Sequence, residues 1–383
     1  MTVNQPRRSV HRGRFGAVAP EPFAVALSGH AHPWDVLGDP DFPLRVREMG
    51  LRSVTLAAAY PATRAPTPLH PAHRVVEARH AALYRPVRDA VWAGRRLRPR
   101  GADWLTEADP FADAAAVLWR AGVDVTAWLV LTQVTSADGV AGVVNCFGDR
   151  YPQALCPNQP HVREYASTLV AEAVRDVPLA GVLLEACGQP ATVPPGRHRP
   201  SRPDAVRWLS VCCCTACAAR WLDHGLDPAQ VRVQLRAAVE DRDRPPSTQV
   251  ARAVLAGRHA GTDALRRQVC AAVRAHAPGI PITLHAHPDP WATGRAPGLT
   301  ATAASDVDIV LISAGSPVSE VDTVVHGYVS VLGAGDPAAA VSTAQRLVDA
   351  GVAGLGLHHL GRASRGRQRV LAEIVASHTP GRP

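Results

Sequence analysis

Eight short apolar runs, most of them separated by helical stretches, constrain this chain more than anything else in it. Runs that are apolar throughout are strands buried on both faces, as in a parallel sheet. They fall at Phe23 to Gly29, Leu51 to Ala59, Val123 to Leu131, Leu179 to Leu184, Ile282 to His287, Val307 to Ser313, Val324 to Leu332 and Ala353 to Leu357. Helical patterns lie at Asp41 to Met49, Pro110 to Ala121, His161 to Asp176, across about 204–276, at Ala338 to Ala350 and at Arg365 to Ser377. This alternation predicts an α/β fold, a (β/α)8 barrel with long loops after the second, third and fourth strands. A doubly wound open sheet is the alternative, and Gly29-His30-Ala31-His32 weakens it by supplying no glycine-rich phosphate turn.

Residues 156–187 show the repeating unit in full. Pro157, Asn158 and Pro160 signal a helix start, and Val162, Tyr165, Leu169, Val170 and Val174 recur at helical spacing. The apolar strand that follows ends in Glu185. A carboxylate at the C-terminal end of a buried parallel strand lies where such barrels keep their catalytic groups. Its apolar flank, Leu183 to Cys187, predicts a raised pKa.

Cys156-Pro157-Asn158-x-Pro160-x-Val162-Arg163-x-Tyr165, then Gly181-Val182-x-Leu184-Glu185, then Cys212-x-Cys214-x-x-Cys217 resembles a group of glycoside-hydrolase-like TIM-barrel proteins, alanine-rich actinobacterial ones among them. The resemblance is strongest over 145–220. It implies a TIM barrel in which Glu185 protonates the glycosidic oxygen and later activates water. Two family features are missing: Leu184 stands where many such enzymes have Asn, and the seventh strand, Tyr328 to Gly333, has no carboxylate before Asp336. Glycoside cleavage uses two carboxyl groups, about 5–5.5 Å apart for retention and about 6.5–9.5 Å for inversion. Asp35, Asp149 and Asp289, after the first, third and fifth strands, are the candidates for the second.

Strand ends also carry His30-x-His32, His285-x-His287 and His358-His359. Substrate-binding candidates are therefore His30, His32, Tyr60, Asn145, His285, His287 and His358, with Trp34 and Trp291 as stacking surfaces for sugar faces. An alternative is a metal-dependent hydrolase, in which the strand-end histidines hold an ion that activates water. A non-catalytic barrel that binds sugar or a protein partner is the third reading. The insertion from Tyr60 to about Gly101, with Arg64, His70, His73, Arg74, His80, Tyr84 and Arg85, reads as a substrate-binding excursion or a solvated surface segment.

Cys214-x-x-Cys217 has zinc-ligand spacing, and Cys212 supplies a third sulfur. Cys187 is the expected fourth ligand, with Cys156 or a histidine as alternatives. The expected ion is structural, and no cofactor is required for catalysis. Buried unliganded thiols are the plainer alternative.

Composition removes several mechanisms. All 41 basic residues are arginine, so Schiff-base chemistry, pyridoxal-phosphate attachment and a P-loop are excluded. The net charge of +8 is spread along the chain without aromatic-interleaved basic motifs, which argues against a nucleic-acid partner. A small-molecule or oligosaccharide ligand is expected, without membrane attachment. Pro20, Glu21 and Pro22 interrupt what would be the apolar part of a signal peptide, so the expected location is cytoplasmic. Residues 1–20 are read as a flexible basic arm, 21–378 as one barrel domain and 379–383 as a tail.

Overall fold

The computed structural model describes residues 25–134, 142–192, 203–313, 321–333 and 335–379. The expected basic arm lies outside them. Eight parallel strands form the barrel: β1 (Ala26–Ala31), β2 (Ser53–Tyr60), β3 (Asp124–Val130), β4 (Gly181–Glu185), β5 (Ile282–His285), β6 (Ile309–Ser313), β7 (Val324–Ser330) and β8 (Gly354–His358). Each pairs with its successor, and β8 pairs with β1 to close the ring. The fold is a (β/α)8 TIM barrel.

The outer helices include α1 (Phe42–Glu48), α2 (Pro110–Arg120), α3 (Pro160–Val174), α4 (Pro203–Leu209), α5 (Thr215–Asp223), α6 (Pro228–Glu240), α7 (Thr248–His276), α8 (Ala339–Asp349) and α9 (Arg365–His378). Local chemistry sets their starts. Asp109 accepts the Ala112 amide at 3.2 Å and Ser247 accepts that of Val250 at 3.3 Å, each answering an N–H left open by the first turn. Val162, Ala166, Leu169, Val170 and Ala173 bury the inner face of α3 in the main core.

Alternation along the strands decides what fills the barrel. Ser28, Thr55, Thr126, Leu183, Thr283 and Leu311 line an interior cavity of about 160 Å³. One layer nearer the C-terminal mouth the interior turns aromatic and titratable, with His30, Trp128, Glu185, His285, Tyr328 and His358. Gly356 makes room for this layer, since a Cβ there would sit 3.2 Å from His30 Cε1.

Two strand boundaries differ from expectation. β1 runs on to Ala31, so His30 projects from the strand itself, and β5 ends at His285. The excursion after β2 is built rather than loose. Its hairpin pairs Thr63–Pro66 with Val75–Ala78, and Ala82–Leu83 adds antiparallel to β2. Arg85, in the insertion read as a substrate-binding excursion or a solvated surface segment, is buried and donates to the Ala173 and Arg175 carbonyls at 2.9 and 2.8 Å. It satisfies the end of α3. The excursions after β3 and β4 cover a second apolar cluster that includes Val143, Cys156, Cys214, Trp221 and Val231. No helix among the described residues is long and apolar enough to cross a membrane.

Candidate active site

Glu185 ends β4 and is only 2% exposed. Its Oε2 accepts the Trp128 indole N–H at 2.8 Å and lies 3.6 Å from His285 Nδ1. Its Oε1 lies 3.5 Å from Arg295 Nε. Burial alone would raise this carboxyl's pKa, but His285, Arg295 and Trp128 outweigh it, and the net direction is downward. The expectation of a raised value from the apolar flank is therefore corrected. Neighbours in sequence are apolar, whereas neighbours in space are two basic groups and an N–H donor.

The loop after β5 brings Arg295 to the site. The Ala186 amide donates to the Arg295 carbonyl at 2.7 Å, tying that loop to the residue after Glu185. Ala186 itself has φ +52°, the left-handed region that side chains other than glycine avoid. The Arg295 guanidinium lies over the Tyr60 ring at 5.7 Å and remains 44% exposed, so it forms the solvent side of the site.

Five rings make up the aromatic shell around the carboxylate. His285 stacks on Tyr328 at 5.1 Å, and His30 meets Trp128, His358 and Tyr328 edge-on at 4.9, 5.7 and 5.8 Å. Burial, opposed by Glu185, lowers the His30 pKa to about 4, so this imidazole is neutral at physiological pH. Burial likewise drives His358 well below its ordinary value.

A second group adjoins this shell. His32 stacks between Trp34 at 4.2 Å and His359 at 4.4 Å, and it meets Tyr60 edge-on at 4.8 Å. Asp35 Oδ2 accepts the His32 amide at 2.8 Å. Trp34, expected as a sugar platform, is 1% exposed and packs in the core. Tyr60 is buried as well, at the end of β2.

The remaining expected residues lie elsewhere. Asn145 and Asp149 form the turn of a hairpin (Gly142–Val144 with Arg150–Leu155), where Asn145 Nδ2 donates to Asp149 Oδ2 at 2.9 Å. Asn145 Oδ1 accepts the Phe147 and Asp149 amides, so its capacity is spent on the turn. Asp289 pairs with Arg207 at 3.3 Å, and His287 Nδ1 accepts the Asp289 amide. Trp291 packs edge-on against Trp208 at 5.1 Å, beside the second cluster. Of the three expected partner carboxylates, Asp35 alone adjoins the Glu185 shell, through His32, His359 and Trp128.

Trp128, Arg295 and Tyr328 were not singled out as site residues from sequence, and His359 was read only as half of the strand-end His358-His359 pair in the metal-dependent alternative. Strand parity in β3 and β7 offered a signal for Trp128 and Tyr328, which stand on the same side of their strands as the neighbouring interior residues. Arg295 offered none, being one arginine among many in a loop.

The sulfurs of Cys156, Cys212, Cys214 and Cys217 all lie within 4.8 Å of one another, and all four residues are buried. Cys156 Sγ is 3.5 Å from Cys217 Sγ and 3.9 Å from Cys214 Sγ. The expected fourth ligand, Cys187, belongs to the main core instead, near Cys270. Cys156 takes its place because the loop before α3 folds onto the start of α5. Asn158 Nδ2 donates to Cys217 Sγ at 3.3 Å, and hydrogen bonds from Cys156, Cys212 and Cys217 hold the Cys214 thiol well below its usual range.

Fold and site together define a TIM barrel with a carboxylate-centred mouth. No family model matches the chain, and neither does any curated protein. Among solved structures, its fold is similar to those of glycoside hydrolase TIM barrels. The glycoside hydrolase domain of PgaB (BpsB) from Bordetella bronchiseptica gives a TM-score of 0.56 at 16% identity, covering 92% of this chain and 99% of that one. The catalytic domain of β-amylase from Paenibacillus polymyxa gives 0.54 at 11% identity, covering 93% and 100%. A β-galactosidase from G. stearothermophilus gives 0.53 at 11% identity, and this chain spans 56% of its length. At these identities the likeness establishes the fold.

Proposed function

We propose that this barrel acts on carbohydrate, with Glu185 as its central carboxylate. The observation that carries the reading is the placement of Glu185 at the C-terminal end of β4, inside a shell of Trp128, His285, Tyr328 and the half-exposed Arg295. The rings offer apolar surface and the histidines and arginine offer polar contacts, a combination suited to a sugar. Resemblance of the strand-four motif to glycoside-hydrolase-like barrels supports the same choice.

In the free protein Glu185 is held as a carboxylate, whereas a proton donor must be protonated. A sugar seated between Glu185 and Arg295 separates the pair and excludes water, and both effects raise the carboxyl's pKa. Proton donation is then coupled to occupancy of the site.

Zinc in the four-cysteine cluster is proposed as structural. A tetrahedral ion with Zn–S bonds of ~2.3 Å has sulfur–sulfur edges of about 3.8 Å, near the observed separations. Cys156, Cys212, Cys214 and Cys217 would hold it, fastening the loops after β3 and β4.

The test is turnover of a panel of aryl glycosides and oligosaccharides, with calorimetry for binding. Wild type is expected to cleave at least one member, and Glu185→Gln to lose ~10²-fold or more of that rate while remaining folded. Binding without turnover selects the non-catalytic barrel. A panel that is neither bound nor cleaved overturns the carbohydrate reading.

A further inference from the structure

We infer that His32, Asp35 and His359 form a binding site for one divalent transition-metal ion, distinct from the four-cysteine cluster and independent of the carbohydrate reading. Each residue places one ligand atom within 4.8 Å of the other two, and all three are buried. The three come from the two ends of the chain. His32 and Asp35 follow β1, and His359 follows β8, so they meet at the seam where the barrel closes.

Hydrogen bonding does not account for this cluster. His32 Nδ1 is 3.4 Å and His359 Nδ1 is 3.8 Å from Asp35 Oδ2. A ring N–H donating to a carboxylate sits at about 2.7–3.2 Å, so both separations are too long. Two nitrogens and an oxygen bound to one ion at ~2.0–2.2 Å stand about 3–3.6 Å apart, close to what is seen. The polar atoms are also unanswered. Asp35 Oδ1, both ring nitrogens of His32 and both of His359 are buried without a hydrogen-bond partner. Five such atoms in one place are costly unless something binds them.

The surroundings hold the ligand set in place. Trp34 stacks under His32, and His32 stacks on His359. The Gly361 backbone lies so close to Asp35 that a Cβ there would fall 2.0 Å from the carboxylate carbon. Asp35 Oδ2 also accepts the His32 amide, which fixes one ligand relative to another. Two imidazoles and one carboxylate suit Zn²⁺, Fe²⁺, Mn²⁺ or Co²⁺ rather than Mg²⁺ or Ca²⁺, which prefer all-oxygen shells. An ion here clamps β1 to β8. It also sets a positive charge behind Trp128, whose ring lies 5.9 Å from His32 and 6.4 Å from His359.

Co²⁺ alone is the probe, loaded into the full chain and followed by metal content and electronic absorption. Thiolate ligation gives sulfur-to-cobalt charge transfer, whereas nitrogen–oxygen ligation gives ligand-field bands without it. Wild type is expected to show a nitrogen–oxygen species that persists in Cys214→Ser/Cys217→Ser. His359→Gln and Asp35→Asn are expected to bind that ion at least ~100-fold more weakly while keeping any sulfur-bound one. Wild type that takes up no cobalt, or only sulfur-ligated cobalt, overturns the inference without recourse to a variant. Variants that retain the nitrogen–oxygen species overturn it too. Neither result bears on sugar turnover.

Discussion

Trp128 donates its indole N–H to Glu185 Oε2 at 2.8 Å across the adjacent strands β3 and β4. The pairing register sets Trp128 opposite Leu183 and Val130 opposite Glu185, so the indole reaches diagonally along the interior to the carboxylate. Trp128→Phe keeps most of the ring and removes the donor. Denaturant unfolding should show a loss of about 1.5–3 kcal/mol, the range for a hydrogen bond to a charged group. The Glu185 pKa should rise as one of its stabilising contacts disappears, moving the alkaline limb of any pH–rate profile, where a proton donor is lost, to higher pH. An unshifted limb would mean that this contact does not help set the carboxyl's ionisation.

Acid sensitivity follows from the same carboxylate. The pKa of Glu185 is lowered in the folded protein, where His285, Arg295 and Trp128 outweigh its burial, and Arg88 lowers that of Glu172 by hydrogen bonding. A carboxyl whose folded pKa is depressed adds stability that is present above its unfolded pKa. That stability is lost as pH falls through the folded value. Melting temperature should therefore decline as pH drops through and below ~4.3, the ordinary glutamate value. Glu185→Gln should show a shallower decline than wild type. Equal slopes would dismiss Glu185 as a contributor.

The cysteine cluster can be separated from the core thiols by two substitutions. Cys156→Ser should abolish tight zinc binding, because it removes one of four converging sulfurs. Cys187→Ser, in the main core, should retain the ion. Zinc content by elemental analysis distinguishes them, and zinc lost only in the Cys187 variant would reverse the assignment.

Gly361 packs directly against Asp35. A Cβ there would meet the carboxylate carbon at 2.0 Å and its oxygens at 2.2 and 2.4 Å. Gly361→Ala should cost about 1–3 kcal/mol, the usual penalty of overpacking, and should also weaken cobalt uptake at the seam. Thermal unfolding and cobalt titration check the two effects. A variant as stable as wild type would show that this loop yields easily.

The barrel was legible because its information is local and repeated: apolar strands and amphipathic helices announce themselves by period, and eight such units leave few ways to close. Glu185 was legible for the same reason, as the polar residue ending a buried strand. Cys212, Cys214 and Cys217 were legible from spacing along eight residues of chain or fewer. The fourth sulfur was not, since choosing Cys156 over Cys187 depends on how the excursion after β3 folds onto the one after β4.

Loop contents were the least legible. Asn145, Asp149, Asp289 and Trp291 follow strands that end at the mouth, yet their bonds are made within turns and against the second cluster. Residue type and strand number determined that this chain forms a parallel barrel with an acid on its fourth strand. Tertiary structure decided that acid's ionisation, by bringing Trp128, His285 and Arg295 from three other segments around it. It also decided that Asp35 faces His359 across the closing seam, because a closed sheet makes neighbours of its first and last strands.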